Sequence, residues 1–137
     1  MSCLFIFSQK GLSLINILMT NNPMAAARYA NDFTVEFSDH NAIDMLKTTR
    51  DKIHMGHKLI THPVTSGTAP NGSPFVSIVI SAGTAQTDFD SVIIIENAIV
   101  LHQKLAKQIN LPKSALEDFM TIDTEMLAKD SKNITNR

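Results

Sequence analysis

The sequence predicts an α/β protein in which a mostly parallel sheet of about four strands is flanked by helices and followed by two C-terminal helices. Two observations lead to this prediction. Short apolar runs alternate with segments of helical spacing over the first 80 residues, and that alternation favours a parallel sheet built from strand–helix–strand units. From residue 88 onwards, apolar residues recur only at helical spacing.

The first predicted strand covers Leu14–Met19, a mostly apolar segment of the kind that forms a buried strand. The residues Thr20–Asn22 follow as a turn, and Pro23 is well placed at the first position of a helix. Residues 24–30 are rich in strong helix formers and predict a helix of two turns.

The second strand and the second helix come next. Residues 33–37 alternate apolar and polar side chains, which predicts a strand with one face in water. The residues Ser38–Asn41 supply several N-caps for a helix. Apolar residues at helical spacing continue to Ile53, and Gly56 is a natural C-terminal stop.

The third and fourth strands are predicted over Lys58–Thr61 and residues 75–80. The loop from Pro63 to Pro74 between them contains three prolines, two glycines and the turn pair Asn71-Gly72. A loop of this length allows either a parallel crossover or an antiparallel return. The direction of the fourth strand therefore stays open.

Two helices are predicted after the sheet. Asp88 and Asp90 precede the first, where carboxylates complement the positive end of the helix dipole. The β-branched run 92–95 is also compatible with a strand, but the apolar stripe that continues beyond it favours a helix. The core-facing stripe is predicted to be Ile94, Ala98, Leu101, Leu105 and Ile109. The last helix begins at Pro112, and its inward side chains are predicted to be Leu116, Phe119, Ile122 and Met126 or Leu127.

A length of 137 residues fits one domain. We expect residues 13–128 to form this single α/β domain. Residues 1–12 are expected to be an extension or a disordered segment, and residues 129–137 a frayed tail.

Composition and charge exclude several classes of function. The formal net charge of -1 gives no general electrostatic reason to bind nucleic acid or an anionic membrane. No apolar run reaches the ~18–20 residues that cross a bilayer. The single cysteine, Cys3, allows no intramolecular disulfide, which agrees with a reducing compartment. We therefore expect a cytoplasmic protein.

A ligand site is predicted where strands one and three end. Ligands bind to open parallel sheets beyond the carboxyl ends of the strands, and the loop from Pro63 to Pro74 leaves the same edge. The predicted ligand-binding residues are Thr20, Asn21, Asn22, Thr61, His62, Ser66 and Asn71. Short polar side chains with one imidazole suit a small polar or anionic ligand. The alternative explanation for the Asn and Thr residues is turn and cap formation.

The histidine series His54, His57 and His62 resembles a metal-binding pattern. A five-residue strand spans about 16 Å, which places His57 and His62 at opposite edges of the predicted sheet. His54 and His57 have no carboxylate or thiolate beside them. We therefore predict neither a metal site nor a cofactor.

Catalytic motifs are absent from the sequence. There is no glycine-rich phosphate loop and no Gly-x-Ser-x-Gly elbow. A binding module is favoured for this reason, and the alternative is a small enzyme that uses His62 as a general acid or base. A third alternative is a homodimer formed through the apolar stripe of the long helix.

Several sequence blocks resemble the GrdX family, small proteins encoded in bacterial gene clusters for glycine, sarcosine or betaine reductase. The blocks are Thr20-Asn21-Asn22-Pro23, Arg50-Asp51-Lys52-Ile53-His54-Met55-Gly56-His57-Lys58-Leu59-Ile60-Thr61-His62-Pro63, Pro70-Asn71 and Ile95-Glu96-Asn97-Ala98. The resemblance covers residues 14–110. It implies a cytoplasmic accessory protein of amino-acid fermentation, and it carries no catalytic assignment. The expected partner is a small polar or anionic ligand or a reductase component.

Overall fold

The computed structural model describes residues 15–63, 74–105 and 112–135. Its sheet has three strands in the order β2-β1-β3. They are β1 Ile17–Thr20, β2 Thr34–Phe37 and β3 Ser77–Ile80. β1 pairs with β2 in parallel and with β3 in antiparallel orientation. The fold is α/β with a small mixed sheet.

The prediction of a mostly parallel sheet of four strands is wrong. The segment Lys58–Thr61 makes a single antiparallel bridge, from Leu59 to Ile80. The next two N–H groups, of Ile60 and Thr61, both donate to the carbonyl of Val79. Because these two N–H groups share one carbonyl, the regular antiparallel hydrogen-bond pattern ends here. The segment therefore does not continue as a strand. Antiparallel neighbours need no helical crossover, and β3 takes the antiparallel direction that the sequence left open.

The described ranges contain four helices: α1 Pro23–Arg28, α2 Ala42–His54, α3 Phe89–Leu105 and α4 Lys113–Thr135. The run 92–95 is helical, as its continuing stripe predicted. α4 continues to Thr135, and the frayed tail expected over residues 129–137 stays a prediction. No helix in the described part of the chain is both long and apolar enough to cross a membrane.

Side chains cap the beginnings of three helices. Asn22 Oδ1 accepts from the backbone N–H of Met24 at 3.0 Å, and Pro23 follows at the first helical turn of α1. Asn41 Oδ1 accepts from Asp44 N at 2.8 Å to begin α2. Asp88 Oδ2 accepts from both the N–H and the hydroxyl of Ser91 at the start of α3. Each cap satisfies backbone donors that have no partner within the helix.

The C-terminus of α2 is closed by Gly56. Its φ of 110° lies in the region that favours glycine. Gly56 N donates to the carbonyl of Ile53 and His57 N to that of Lys52, the two hydrogen bonds of a Schellman motif. The predicted stop at Gly56 is confirmed.

The sheet separates two apolar clusters, which makes three layers. One face packs against α2 and α3 through Ile17, Met19, Ile78, Ile80, Met45, Leu46, Ile53, Ile95, Ala98 and Ile99. The other face packs against α1, the α1–β2 connection and α4 through Leu18, Val79, Ala25, Tyr29, Phe33 and Leu127. Burying each large aliphatic side chain contributes roughly 1.5–3 kcal/mol. β1 is buried on both faces and is the centre of the fold.

The inner faces of α3 and α4 differ from the predicted ones. In α3 the buried residues are Ser91, Ile95, Ala98, Ile99 and His102, whereas Ile94 and Leu101 are half-buried. In α4 the buried residues are Asp123, Thr124 and Leu127, whereas Ile122 is exposed. Leu116, Phe119 and Met126 are half-buried. The side chain of Leu105 and all of Ile109 lie outside the described residues.

Candidate functional site

Thr20 and Ser77 face each other across the β1–β3 pair, at the carboxyl end of β1. Their hydroxyl oxygens lie 2.8 Å apart, and Ser77 Oγ donates to Oδ2 of Asp123 on α4 at 2.6 Å. A hydroxyl has a single hydrogen. Since that of Ser77 goes to Asp123, Thr20 donates toward Ser77 or toward the Val76 carbonyl at 3.2 Å. The hydrogen bonds therefore run from the central strand to α4.

Asn22 joins this network from the start of α1. Its Nδ2 lies 2.8 Å from Asp123 Oδ2, 3.1 Å from Thr124 Oγ1 and 3.1 Å from the Met120 carbonyl. Its backbone N–H donates to Thr20 Oγ1 at 3.0 Å. Five buried residues thus form one unit, called here the Asp123 cluster: Thr20, Asn22, Ser77, Asp123 and Thr124.

Asp123 is a carboxyl group in the protein interior, with only 3% of its surface exposed. Burial raises the pKa of Asp123 above its ordinary value, and the hydrogen bonds from Asn22 and Ser77 oppose that rise. Both donors are uncharged. The cluster therefore stabilises the carboxyl group by hydrogen bonding and supplies no opposite charge.

The first helix is also fastened to α4 beyond the cluster. Tyr29 Oη donates to the Thr124 carbonyl at 3.1 Å, and burial raises the pKa of the Tyr29 phenol. At the surface, Arg28 Nη1 lies 2.6 Å from Glu125 Oε2. These contacts repeat along one side of α1, so α1 and α4 are held together at several points.

Asn21 connects three chain segments at the same edge of the sheet. Its Nδ2 donates to the carbonyls of His40 and Pro74, both at 2.9 Å. Its Oδ1 accepts from Val76 N at 2.9 Å. Both ends of the amide are therefore used. They hold the β2–α2 connection and the segment before β3 against the end of β1.

Thr61 and His62 lie on the other side of β3 from β1. Thr61 is buried, and its Oγ1 accepts from Val79 N at 3.0 Å, whereas His62 is exposed. Adjacent strands are about 4.8 Å apart, and β3 stands between this segment and β1. Every hydrogen bond described for Asn22 is to Thr20, α1 or α4. The structure thus brings Thr20, Asn21 and Asn22 together and places Thr61 and His62 as a separate group.

The family of the chain is shown by a match that covers most of its sequence. The family model described as GrdX-like protein matches residues 17–131, a span that includes all three strands and the Asp123 cluster. The chain belongs to the GrdX-like family. The GrdX-like chain matches no curated protein and no solved structure significantly.

Three members of the Asp123 cluster were missed by sequence reasoning: Ser77, Asp123 and Thr124. One signal was available for α4 of this GrdX-like chain. Leu116, Met120, Asp123 and Leu127 follow one another at intervals of helical spacing, so Asp123 lies within an apolar stripe. A carboxylate at such a position points inward and needs hydrogen-bond donors.

The remaining predicted site residues, Ser66 and Asn71, lie outside the described residues. Within residues 15–63, 74–105 and 112–135, no three His, Cys, Asp or Glu side chains form a group that could hold a metal ion. His57 is buried and its Nδ1 donates to the Ser81 carbonyl at 2.8 Å, whereas His54 is exposed. The two histidines thus have different surroundings.

His102 on α3 is another buried titratable group of the GrdX-like chain. Its Nε2 has no hydrogen-bond partner among the described residues. Burial lowers the pKa of His102 below its ordinary value of 6.5. A buried imidazole whose Nε2 has no partner resists protonation, because the charged form would lose its hydration.

The site therefore has two parts with different chemical capacity. The amide and hydroxyl groups of Thr20, Asn21 and Asn22 are used by internal hydrogen bonds, so they fix the shape of the sheet edge. His62 is exposed at the surface, and an imidazole is able both to donate and to accept hydrogen bonds.

Proposed function

We propose that this GrdX-like chain is a bacterial cytoplasmic accessory protein of glycine, sarcosine or betaine reductase. In this role it binds a small polar or anionic ligand or a component of the reductase during amino-acid fermentation. The match of the GrdX-like family model over residues 17–131 is the observation that carries the proposal. The sequence blocks that resemble the family lie in the same span.

The hydrogen bonds at the edge of the sheet support a binding role. Asn21 holds the main chain at His40 and Pro74, and Thr61 holds the main chain at Val79. Segments that are already fixed lose little conformational entropy when a ligand binds. The edge is thus preorganised without help from a ligand.

The proposed contact is His62. Thr61 is buried and is proposed to support it, whereas Thr20, Asn21 and Asn22 form a separate buried group at the end of β1. Ser66 and Asn71 belong to the loop that the sequence predicts from Pro63 to Pro74. An exposed imidazole can hydrogen-bond a carboxylate or an amine. Glycine carries both groups and is the first compound to test, together with sarcosine and betaine.

Isothermal titration calorimetry tests the proposal. The chain is titrated with glycine, sarcosine, betaine and each purified reductase component. We expect heat with at least one of them, a loss of affinity in His62→Ala, and unchanged affinity in His40→Ala, which replaces another exposed histidine. The absence of heat with every compound and component would contradict the proposal. If His62→Ala kept its affinity but abolished a turnover of the bound compound, an acid–base role would replace the binding role.

A further inference from the structure

The outer face of α3 carries three exposed apolar side chains. Phe89 is 75% exposed, Ile93 57% and Val100 46%. These residues differ from the inward stripe of the same helix, which packs on α2 and the sheet. At about 3.6 residues per turn, the three exposed residues and Lys104 lie within an arc of about 60°. They are called here the outer stripe: Phe89, Ile93, Val100 and Lys104.

The outer stripe lies nearly opposite the buried one. The buried residues Ile95, Ala98 and Ile99 are centred about half a turn away from Ile93. Helices that are apolar on opposite faces are usually packed on both sides. In the described part of the chain, α2 and the sheet cover only the inner face of α3.

We propose that the outer stripe binds the same stripe of a second copy of this chain, with the two α3 helices antiparallel. A two-fold axis between Glu96 and Asn97 would place Ile93 of each copy against Val100 of the other. It would also place Phe89 against Lys104. Interfaces with two-fold symmetry need a self-complementary surface, and the outer stripe is self-complementary when its direction is reversed.

The charges of α3 match this arrangement. Asp90 and Lys104 are exposed at the two ends of the helix. In the antiparallel pair, the aliphatic part of Lys104 covers the ring of Phe89 in the other copy, and its ammonium group reaches Asp90 beside it. The two helix dipoles are also antiparallel, so their opposite ends lie beside each other and attract. A parallel pair would instead bring Asp90 against Asp90.

The same charges disfavour a membrane surface as the occupant. Helices that lie on anionic membranes carry several Lys or Arg residues beside the apolar face. The outer stripe has one lysine and is flanked by Asp90 and Glu96, the latter 3.6 Å from Arg50. In a second copy, Asp90 and Lys104 would each lie near a residue of opposite charge. An anionic lipid surface would attract Lys104 but repel Asp90.

The expected dimer is weak. α3 has 17 residues and is about 25 Å long, so a pair of these helices buries less than the roughly 800 Å² per partner of a standard interface. We therefore expect a dissociation constant in the micromolar range.

Sedimentation equilibrium across the micromolar range tests the proposal. The wild-type chain should change from monomer to dimer as its concentration rises. Ile93→Lys should remain monomeric with an unchanged far-ultraviolet circular dichroism spectrum, because Ile93 is exposed in the monomer. The matched control Ile15→Lys changes another exposed isoleucine, 52% exposed, and should dimerise as the wild type does.

Charge exchange tests the direction of the helices. Asp90→Lys and Lys104→Asp should each weaken the dimer at least tenfold, and the double variant should restore it. A mixture of the two single variants should form the heterodimer. A wild-type chain that stays monomeric, a dimeric Ile93→Lys, or a double variant that fails to recover would overturn the proposal.

Discussion

The side-chain amide of Asn22 donates a 2.8 Å hydrogen bond to the carboxyl group of Asp123, which is 101 positions further along the chain. The bond joins the beginning of α1 to the middle of α4, and Ser77 connects the same carboxyl group to β3. Asn22 is also the N-cap of α1. One side chain therefore begins a helix and attaches the C-terminal helix to the sheet.

Replacing Asn22 with alanine should destabilise the fold far more than the loss of an ordinary cap. The cap contributes about 1 kcal/mol, and the buried acceptors left without a donor add about 1–3 kcal/mol. We expect the free energy of unfolding to fall by roughly 2–4 kcal/mol in urea denaturation. The matched control is Asn41→Ala, which removes an exposed cap and should lose about 1 kcal/mol. Equal losses in the two variants would show that the Asp123 cluster adds nothing.

Replacing Asp123 with asparagine should change how stability depends on pH. The pKa of folded Asp123 is raised by burial above its ordinary value of 3.8. The contribution of Asp123 to stability is therefore complete below 3.8 and is lost as the pH rises through the folded pKa, because the unfolded chain ionises more easily. Asp123→Asn lacks this loss, so its stability relative to wild type should increase over that pH range.

Urea denaturation at a series of pH values measures this difference. Asp118→Asn is the control, since Asp118 is exposed on the same helix. The difference in free energy of unfolding between Asp118→Asn and wild type should change less with pH than the difference for Asp123→Asn. If wild type and Asp123→Asn differed in free energy of unfolding by the same amount from acid to neutral pH, burial would not raise the pKa of Asp123.

Local elements were predictable because short-range chemistry determines them. Pro23 begins a helix because its missing N–H is not needed there. Gly56 ends one because a positive φ is required. The resemblance to the GrdX family could also be read from continuous sequence blocks. These features depend on few neighbours in the chain.

The sheet and the inner faces of the helices could not be predicted in the same way. The direction of β3 depends on long-range pairing with β1. In α3, the residues from Val92 to Ile95 are all apolar. Both Ile94 and Ile95 can therefore form a stripe of helical spacing with Ala98. Tertiary packing selects Ile95 rather than Ile94 for the core. Asp123 was missed because polar residues are normally assigned to the surface.

Replacing His102 with leucine should remove a source of acid instability. Burial lowers the pKa of folded His102 below 6.5, so the contribution of His102 to stability is complete above 6.5 and is lost as the pH falls through the folded pKa. The variant also removes a buried ring nitrogen without a partner, and such a group costs about 1–3 kcal/mol.

Thermal denaturation between neutral and acid pH measures the effect. His102→Leu should lose less stability on acidification than the wild type does. His54→Leu, which changes an exposed histidine, should keep more of the wild-type response to pH. The same acid response in wild type and His102→Leu would show that another group causes it.

Replacing Gly56 with alanine should destabilise the end of α2 for two reasons. A non-glycine residue at φ 110° is strained, and the added Cβ would overlap the Ala85 carbonyl oxygen. The backbone atoms of Ala85 cannot move freely, because Ala85 N donates to the Gly56 carbonyl at 3.1 Å. We expect a loss of roughly 2–4 kcal/mol in urea denaturation. The control Gly83→Ala changes an exposed glycine without a positive φ and should be neutral or slightly stabilising, because alanine restricts the unfolded chain. If both variants were as stable as the wild type, the contact between Gly56 and Ala85 would not be close enough to exclude a side chain.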